Sequence, residues 1–180
     1  LEYITRNDVS NIGLVIPAWS QNQRKDFQSG WQGRWTNDRI ESRGDVFWWT
    51  RKSLDYYLSF QILCERYNLN YLQAQMLSLY QDWLDGLRPR GMTPIEGNYT
   101  RYKYTGDVIK DNKKIIKIID SYDDIINTRK FLGWPLSHEF SGYSLQKKII
   151  QNKYNISDLD SHPNKEGQKA IMEFIYGQLA

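Results

Sequence analysis

Asn70-Tyr71-Leu72-Gln73-Ala74-Gln75-Met76 alternates polar and apolar residues with a period of two, the repeat of a β-strand with one face on a core. Upstream of it, residues 50–68 place Leu54, Leu58 and Ile62 four apart with Tyr57, Phe60 and Cys64 beside them, the spacing of a helix that packs on a sheet. Earlier still, Ile12-Gly13-Leu14-Val15-Ile16 is short, continuous and rich in β-branched residues, and Pro17 stops it. Such a run fits a strand covered on both faces, as in a parallel sheet. A strand, a helix and a second strand in this order form a crossover between neighbouring parallel strands, so the expected fold class is α/β.

Around this unit the chain divides unevenly. Residues 21–49 hold Trp31, Trp35, Trp48 and Trp49 with Gly30, Gly33 and Gly44 between them, a pattern of a long excursion with little regular structure. Leu87-Arg88-Pro89-Arg90-Gly91-Met92-Thr93-Pro94 is dense in turn residues, and residues 99–104 alternate aromatic with basic or small side chains. A loop and hairpin insertion is expected around 87–110. Residues 115–126 suggest one helix or two short ones, and Phe131-Leu132-Gly133-Trp134-Pro135 a buried extended piece ending at a turn, because the residue before a proline is turned away from helix. In the tail from 165 to 179, Ala170, Ile171, Phe174, Ile175 and Leu179 share one side of a helix capped by Asn164 or Ser161.

Length and composition set the outer limits. The 180 residues lie inside the range of one domain, with 40% hydrophobic and 25% charged residues, so a single domain spanning 1–180 with a real core is expected. No apolar run reaches the roughly 18 residues of a membrane span. A net charge of +3, from 24 basic against 21 acidic residues, is too small and too interspersed to indicate nucleic acid as a partner. The most basic stretch, residues 110–117, also carries Ile115 and Ile116 and fits an amphipathic element with a solvated lysine face. Cys64, the one cysteine, has no internal disulfide partner and suits a buried, inert thiol.

A second line of expectation concerns completeness. A parallel sheet needs several strands and cover on both faces, whereas two convincing parallel strands and roughly four helices are visible. The first residues, Leu1-Glu2-Tyr3-Ile4, include no initiator Met and no leader pattern. The expectation is a fragment, a processed product or an incompletely described chain, lacking one or more N-terminal strands.

Chemistry concentrates in Asp158-Leu159-Asp160-Ser161-His162-Pro163-Asn164-Lys165-Glu166-Gly167, directly before the tail helix. Pro163 fixes its own φ and biases His162 toward an extended backbone, Asn164 can cap the helix, and Gly167 lets the first turn approach neighbouring backbone. The result is a stiff mount for an imidazole with carboxylates in reach, the arrangement by which a serine hydrolase aims its general base. The same residues also satisfy a simpler role, with Asp160 and His162 as part of a helix cap.

This block resembles the closing motif of the SGNH/GDSL hydrolases, which reads Asp, one or two residues, His-Pro-Asn and a nearby Gly. The likeness implies a three-layer α/β/α sandwich on a parallel sheet, flavodoxin-like in class, and a serine ester hydrolase needing no cofactor or metal. It implies His162 as general base with Asp160 orienting the ring. Asp158 is the second candidate acid, since the commoner family position, three before the histidine, holds Leu159 here. In that family Gly-Asp-Ser opens the domain on its first strand, but this chain has no such string. Gly44-Asp45-Val46 and Gly106-Asp107-Val108 are the nearest, so the nucleophile is expected from a segment or chain that completes the sheet. Where the family has a Gly-x-Asn oxyanion block, Ala18-Trp19-Ser20 stands here, with Ser20 or Asn22 as donor, and Gln168 stands where many members have His. Residues 12–20 with Arg24, and 131–135, are also similar to hydrolase-like proteins of marine bacteriophages. The likeness implies an acylated polysaccharide as substrate, with Arg24, Trp19 and Trp134 as substrate-binding candidates, or else an inactive, virion-associated structural or glycan-binding module.

Other groups carry less. His138-Glu139 is a lone pair without zinc-like spacing in a chain with two histidines. Arg24 and Arg34 flank aromatic residues and suit either an anionic or sugar ligand or stacking on Trp within a loop. Trp31, Trp35 and Trp134 are the aromatic candidates for sugar faces, against the ordinary use of such rings in packing.

Overall fold

The computed structural model describes residues 4–5, 7–20, 46–77, 108–136, 142–157 and 160–179. Of the excursion expected over 21–49, residues 21–45 lie outside them and 46–49 are helical instead; of the insertion expected around 87–110, residues 87–107 lie outside and 108–110 open a helix. Asp158, Asn22, Arg24, Trp31, Arg34, Trp35, His138 and Glu139 also lie outside the described residues. Within the described residues the chain is mixed α/β. Strands β1 (Ala18–Trp19), β2 (Gln73–Gln75) and β3 (Phe131–Leu132) form a parallel sheet in the order β1-β2-β3. Helices α1 (Val46–Arg66), α2 (Val108–Asp120), α3 (Leu145–Gln151) and α4 (Lys165–Gly177) join these strands to a two-stranded antiparallel hairpin, β4 (Asn155–Ser157) and β5 (Asp160–Pro163).

The first strand differs from its expected place, and proline is the reason. Pairing with β2 begins at Val15, which bridges Tyr71, and resumes at Ala18, beyond Pro17. The Pro17 carbonyl accepts from Ala74 N at 3.1 Å and the Trp19 carbonyl from Met76 N at 2.9 Å. Before both of them, after the bond from Leu72 N to the Val15 carbonyl, the rung that an amide at 17 would send to Leu72 is missing because proline has no N–H. Residues 12–14 add no rung, and Ile16 is 38% exposed, so this strand is covered less fully than its apolar sequence implies.

Strand β2 differs in the opposite sense. Its alternation suggests one solvated face, yet Gln73 and Gln75 are fully buried, as is Ala74. Leu72 and Ala74 join Leu132 and Leu145 in one core cluster, against which Ile171, Phe174 and Ile175 of α4 pack. The odd-numbered side chains meet α1 instead, where the Tyr57 hydroxyl donates to Gln75 Oε1 at 3.3 Å and Gln73 Nε2 donates to the Tyr57 carbonyl at 3.3 Å. Burial of these amides is tolerable because each finds partners.

Helix α1 starts at Val46, four residues earlier than its expected start, because Phe47 and Trp49 are 4% and 2% exposed and extend the buried face by a turn. Its buried stripe runs through Phe47, Thr50, Leu54, Tyr57 and Cys64, while Ile62 is 54% exposed. A spacing of four advances about 40° beyond a full turn at each step, so the Leu54, Leu58, Ile62 series rotates off the core within two steps. Helix α2 buries Ile115, Ile118 and Ile119 against α1 and Phe131, and Lys114 extends its ammonium over the Phe47 ring at 3.8 Å. Cys64 is fully buried, and burial, with Glu65 adding to it, pushes its thiol up. It should therefore stay unreactive toward a thiol reagent such as Ellman's in native buffer and react stoichiometrically in denaturant; fast native labelling would contradict this packing.

Candidate functional site

The acid–histidine block folds as the second strand of the β4–β5 hairpin. Asp160 N donates to Ser157 Oγ at 3.1 Å, and Asn155 pairs with Pro163 across the ladder. Asn164 then fastens the hairpin to the helix: its amide N donates to the Tyr154 carbonyl at 2.8 Å, its side-chain Nδ2 to the Asn155 carbonyl at 3.2 Å, and its Oδ1 accepts from Gly167 N at 2.8 Å. Of the two expected caps of α4, Asn164 is the one in place.

Gly167 is buried, and a Cβ there would lie 2.5 Å from the Tyr154 carbonyl oxygen and 3.0 Å from Pro163 Cβ. Since the first obstacle is backbone, Gly167→Ala must push the hairpin away from α4. A loss of about 2 kcal/mol is expected, read by denaturant midpoint; an unchanged midpoint would show that the contact yields freely.

Asp160 points at His162. One carboxylate oxygen accepts both from His162 N at 3.0 Å and from the ring at Nδ1, 2.6 Å away. Those two bonds, the backbone one first, hold the Asp160 carboxyl below its ordinary range. An ionised carboxylate only accepts, so Nδ1 is the donor in this contact, and the tautomer it selects for a neutral ring is the one with the Nε2 lone pair free. The His162 side chain is 84% exposed and Asp160 43%. The ring is therefore accessible, and neither sealed in hydrocarbon nor turned from its acid.

The other candidates sit at the carboxyl ends of the parallel strands, the usual ligand-binding side of such sheets. Trp19 packs in the core: its ring lies 4.9 Å from Tyr57 and 5.9 Å from Phe60, and its indole donates to Gln73 Oε1 at 2.9 Å. Trp134 stacks edge-on against Phe131 at 5.4 Å and donates to Asp123 Oδ1 at 2.7 Å. Packing is the visible work of both rings. Ser20 follows the last rung of β1; its carbonyl accepts from Gln75 Nε2 at 3.2 Å, and its hydroxyl is buried with no hydrogen-bond partner among the described residues.

The two groups of candidates are linked through α3. Its Gln146 N donates to the Met76 carbonyl at the end of β2, and α3 packs against β5. Among the described residues no hydrogen bond or ring contact joins His162 to Trp19, Ser20 or Trp134, and none reaches Nε2. A cavity of about 180 Å³ between α3 and α4, lined by Leu145, Ile149, Tyr154, Ala170, Ile171 and Phe174 among others, includes neither His162 nor Asp160. Among the described residues no cluster of three or more His, Cys, Asp or Glu side chains could hold a metal ion, and no helix is long and apolar enough to cross a membrane.

The glutamines of β2 are what sequence reasoning missed at this end of the sheet. Two amides at alternate positions of an apolar strand were the available signal, since they require partners if that strand is central. No family model, curated protein or solved structure matches the chain.

Proposed function

We propose that this chain forms part of an SGNH-type ester hydrolase acting on acylated glycans, with the nucleophilic serine contributed by a segment or chain that completes the sheet. The observation that carries this reading is the 2.6 Å contact between Asp160 Oδ1 and His162 Nδ1, which leaves Nε2 as an outward-facing base. The serine hydroxyl passes its proton to Nε2 as its oxygen adds to the ester carbonyl carbon. Collapse of the tetrahedral intermediate breaks the bond to the sugar oxygen, which leaves with that proton. Water, deprotonated in turn by Nε2, then releases the carboxylic acid and restores the serine.

Within this proposal Ser20, or Asn22 in its place, stabilises the oxyanion, and Arg24 and Trp134 contact the glycan. Asp158 is the reserve acid. The fold is a three-layer sandwich, with α1 and α2 on one face of the sheet and α3 and α4 on the other; the packing of Leu72 and Gln73 toward opposite helices supports it. The incoming strand pairs with β1, an edge of the sheet among the described residues.

A second reading, an inactive module of the same class serving a virion as a structural or glycan-binding piece, is favoured by the 84% exposure of the His162 side chain. The protein expressed from its complete native coding region separates the two. Covalent labelling by a fluorophosphonate together with hydrolysis of p-nitrophenyl acetate supports the enzyme. Neither labelling nor hydrolysis, with retained glycan binding, supports the second reading and overturns the first.

A further inference from the structure

We propose that Gln75 is a positioning residue that acts through Ser20; the inference rests on the hydrolase reading, in which Ser20 is an oxyanion donor. Gln75 lies at the carboxyl end of β2, fully buried, and every polar atom of its amide has a partner. Oε1 accepts from the Tyr57 hydroxyl at 3.3 Å, and Nε2 donates to the Ser20 carbonyl at 3.2 Å and to the Leu77 carbonyl at 2.6 Å.

These bonds lie past the end of the ladder. The last backbone rungs bring Met76 N and Leu77 N to the Trp19 carbonyl at 2.9 and 3.3 Å, so Ser20, just after β1, is the first residue that the sheet itself does not hold. Its carbonyl is tied down by Gln75, and its buried hydroxyl has no hydrogen-bond partner among the described residues. A buried hydroxyl without a partner is unfavourable unless a ligand supplies one, and its direction is set by the orientation of the residue that bears it. Tyr57 holds Gln75, Gln75 holds the Ser20 backbone, and the Ser20 hydroxyl is left for a developing negative charge. Preorganisation of this kind is what makes an oxyanion donor effective.

The test uses the protein expressed from its complete native coding region, with p-nitrophenyl acetate as substrate. Gln75→Met keeps the length of the side chain and removes all three bonds. It should lower kcat about tenfold with KM nearly unchanged, whereas Ser20→Ala should lower kcat about 10- to 100-fold, somewhat less than loss of an amide donor. In the Ser20→Ala background, Gln75→Met should cause no further loss, the non-additivity expected when one residue acts through another. Gln61→Met, which breaks the bonds of another buried glutamine to Ile125 and Asn127, should leave kcat unaltered and so controls for lost stability. If Gln75→Met fails to fold, Tyr57→Phe loosens the same amide and enters the same cycle, with about a threefold loss expected. An additive loss in the Ser20→Ala background, or an equal loss in Gln61→Met, overturns the role of Gln75 while leaving the hydrolase standing. Absence of His162-dependent hydrolysis in the unaltered protein overturns both.

Discussion

His162→Ala should lower ester hydrolysis by roughly 10²–10⁴-fold, the usual contribution of a positioned general base, while the melting temperature stays nearly constant. The constancy follows from exposure: the side chain is 84% accessible, the bond its ring makes among the described residues goes to a partly exposed carboxylate, and the His162 amide keeps its bond to Asp160 when the ring is removed. Exposed substitutions of this kind seldom change stability by more than about 0.5 kcal/mol. Asp160→Asn should reduce activity less, since an amide can still orient the ring but favours neither the same tautomer nor a positive imidazolium. The pH dependence follows from the sign of the Asp160 shift. Its folded-state value lies below the ordinary 3.8, so its contribution is present above that value and disappears only as pH falls through the lower folded one. The carboxylate is thus ionised throughout the neutral range, and its carboxyl carbon resonance should titrate below 3.8. Retained hydrolysis in His162→Ala, with the protein folded, would falsify the catalytic assignment.

Gly133→Ala should be the most damaging single-methyl change at the carboxyl end of the sheet. Gly133 has φ +100°, and a Cβ there would stand 2.1 Å from the Tyr143 carbonyl oxygen and 3.3 Å from Gln75 Cβ. Both the backbone region and the contact exclude a side chain. The segment cannot easily shift, because the Gly133 carbonyl accepts from Leu136 N at 2.8 Å and from Tyr143 N at 3.0 Å, and Leu136 is 1% exposed in the core. A loss of about 3–5 kcal/mol is expected, roughly 10 °C or more in melting temperature for a chain of this size. A loss below about 1 kcal/mol would mean that this turn is far softer than its geometry implies. Since Gly133 also abuts Gln75, a partly folded variant should lose hydrolysis beyond its loss of stability.

Much of this architecture is legible in local pattern. The period-two run at 70–76, the helical run after 50 and the short Phe131-Leu132 piece each become elements of a parallel α/β arrangement. Asn164 before an amphipathic run becomes a helix cap because capping needs only a side chain and the two or three amides that follow it. The pairing of Asp160 with His162 is local for the same reason: a carboxylate two residues before an amide folds back on it without help from distant chain.

What sequence by itself determined, then, is what neighbours within a turn or two set: strand and helix periods, a polar cap before the tail helix, the stiff bend at Pro163, and a carboxylate within reach of His162. Tertiary structure alone decided which of those faces met water. Gln73 and Gln75 look like a solvated edge in the strand's alternation, and they became its most buried polar groups because Tyr57, 16 and 18 residues away, and the Trp19–Ser20 end of β1 supplied partners. Ile62 looks like core and ended in solvent because a four-residue repeat rotates away from the sheet. Burial is a property of what packs on a residue from elsewhere in the chain, and a periodic pattern shows a face without showing what covers it.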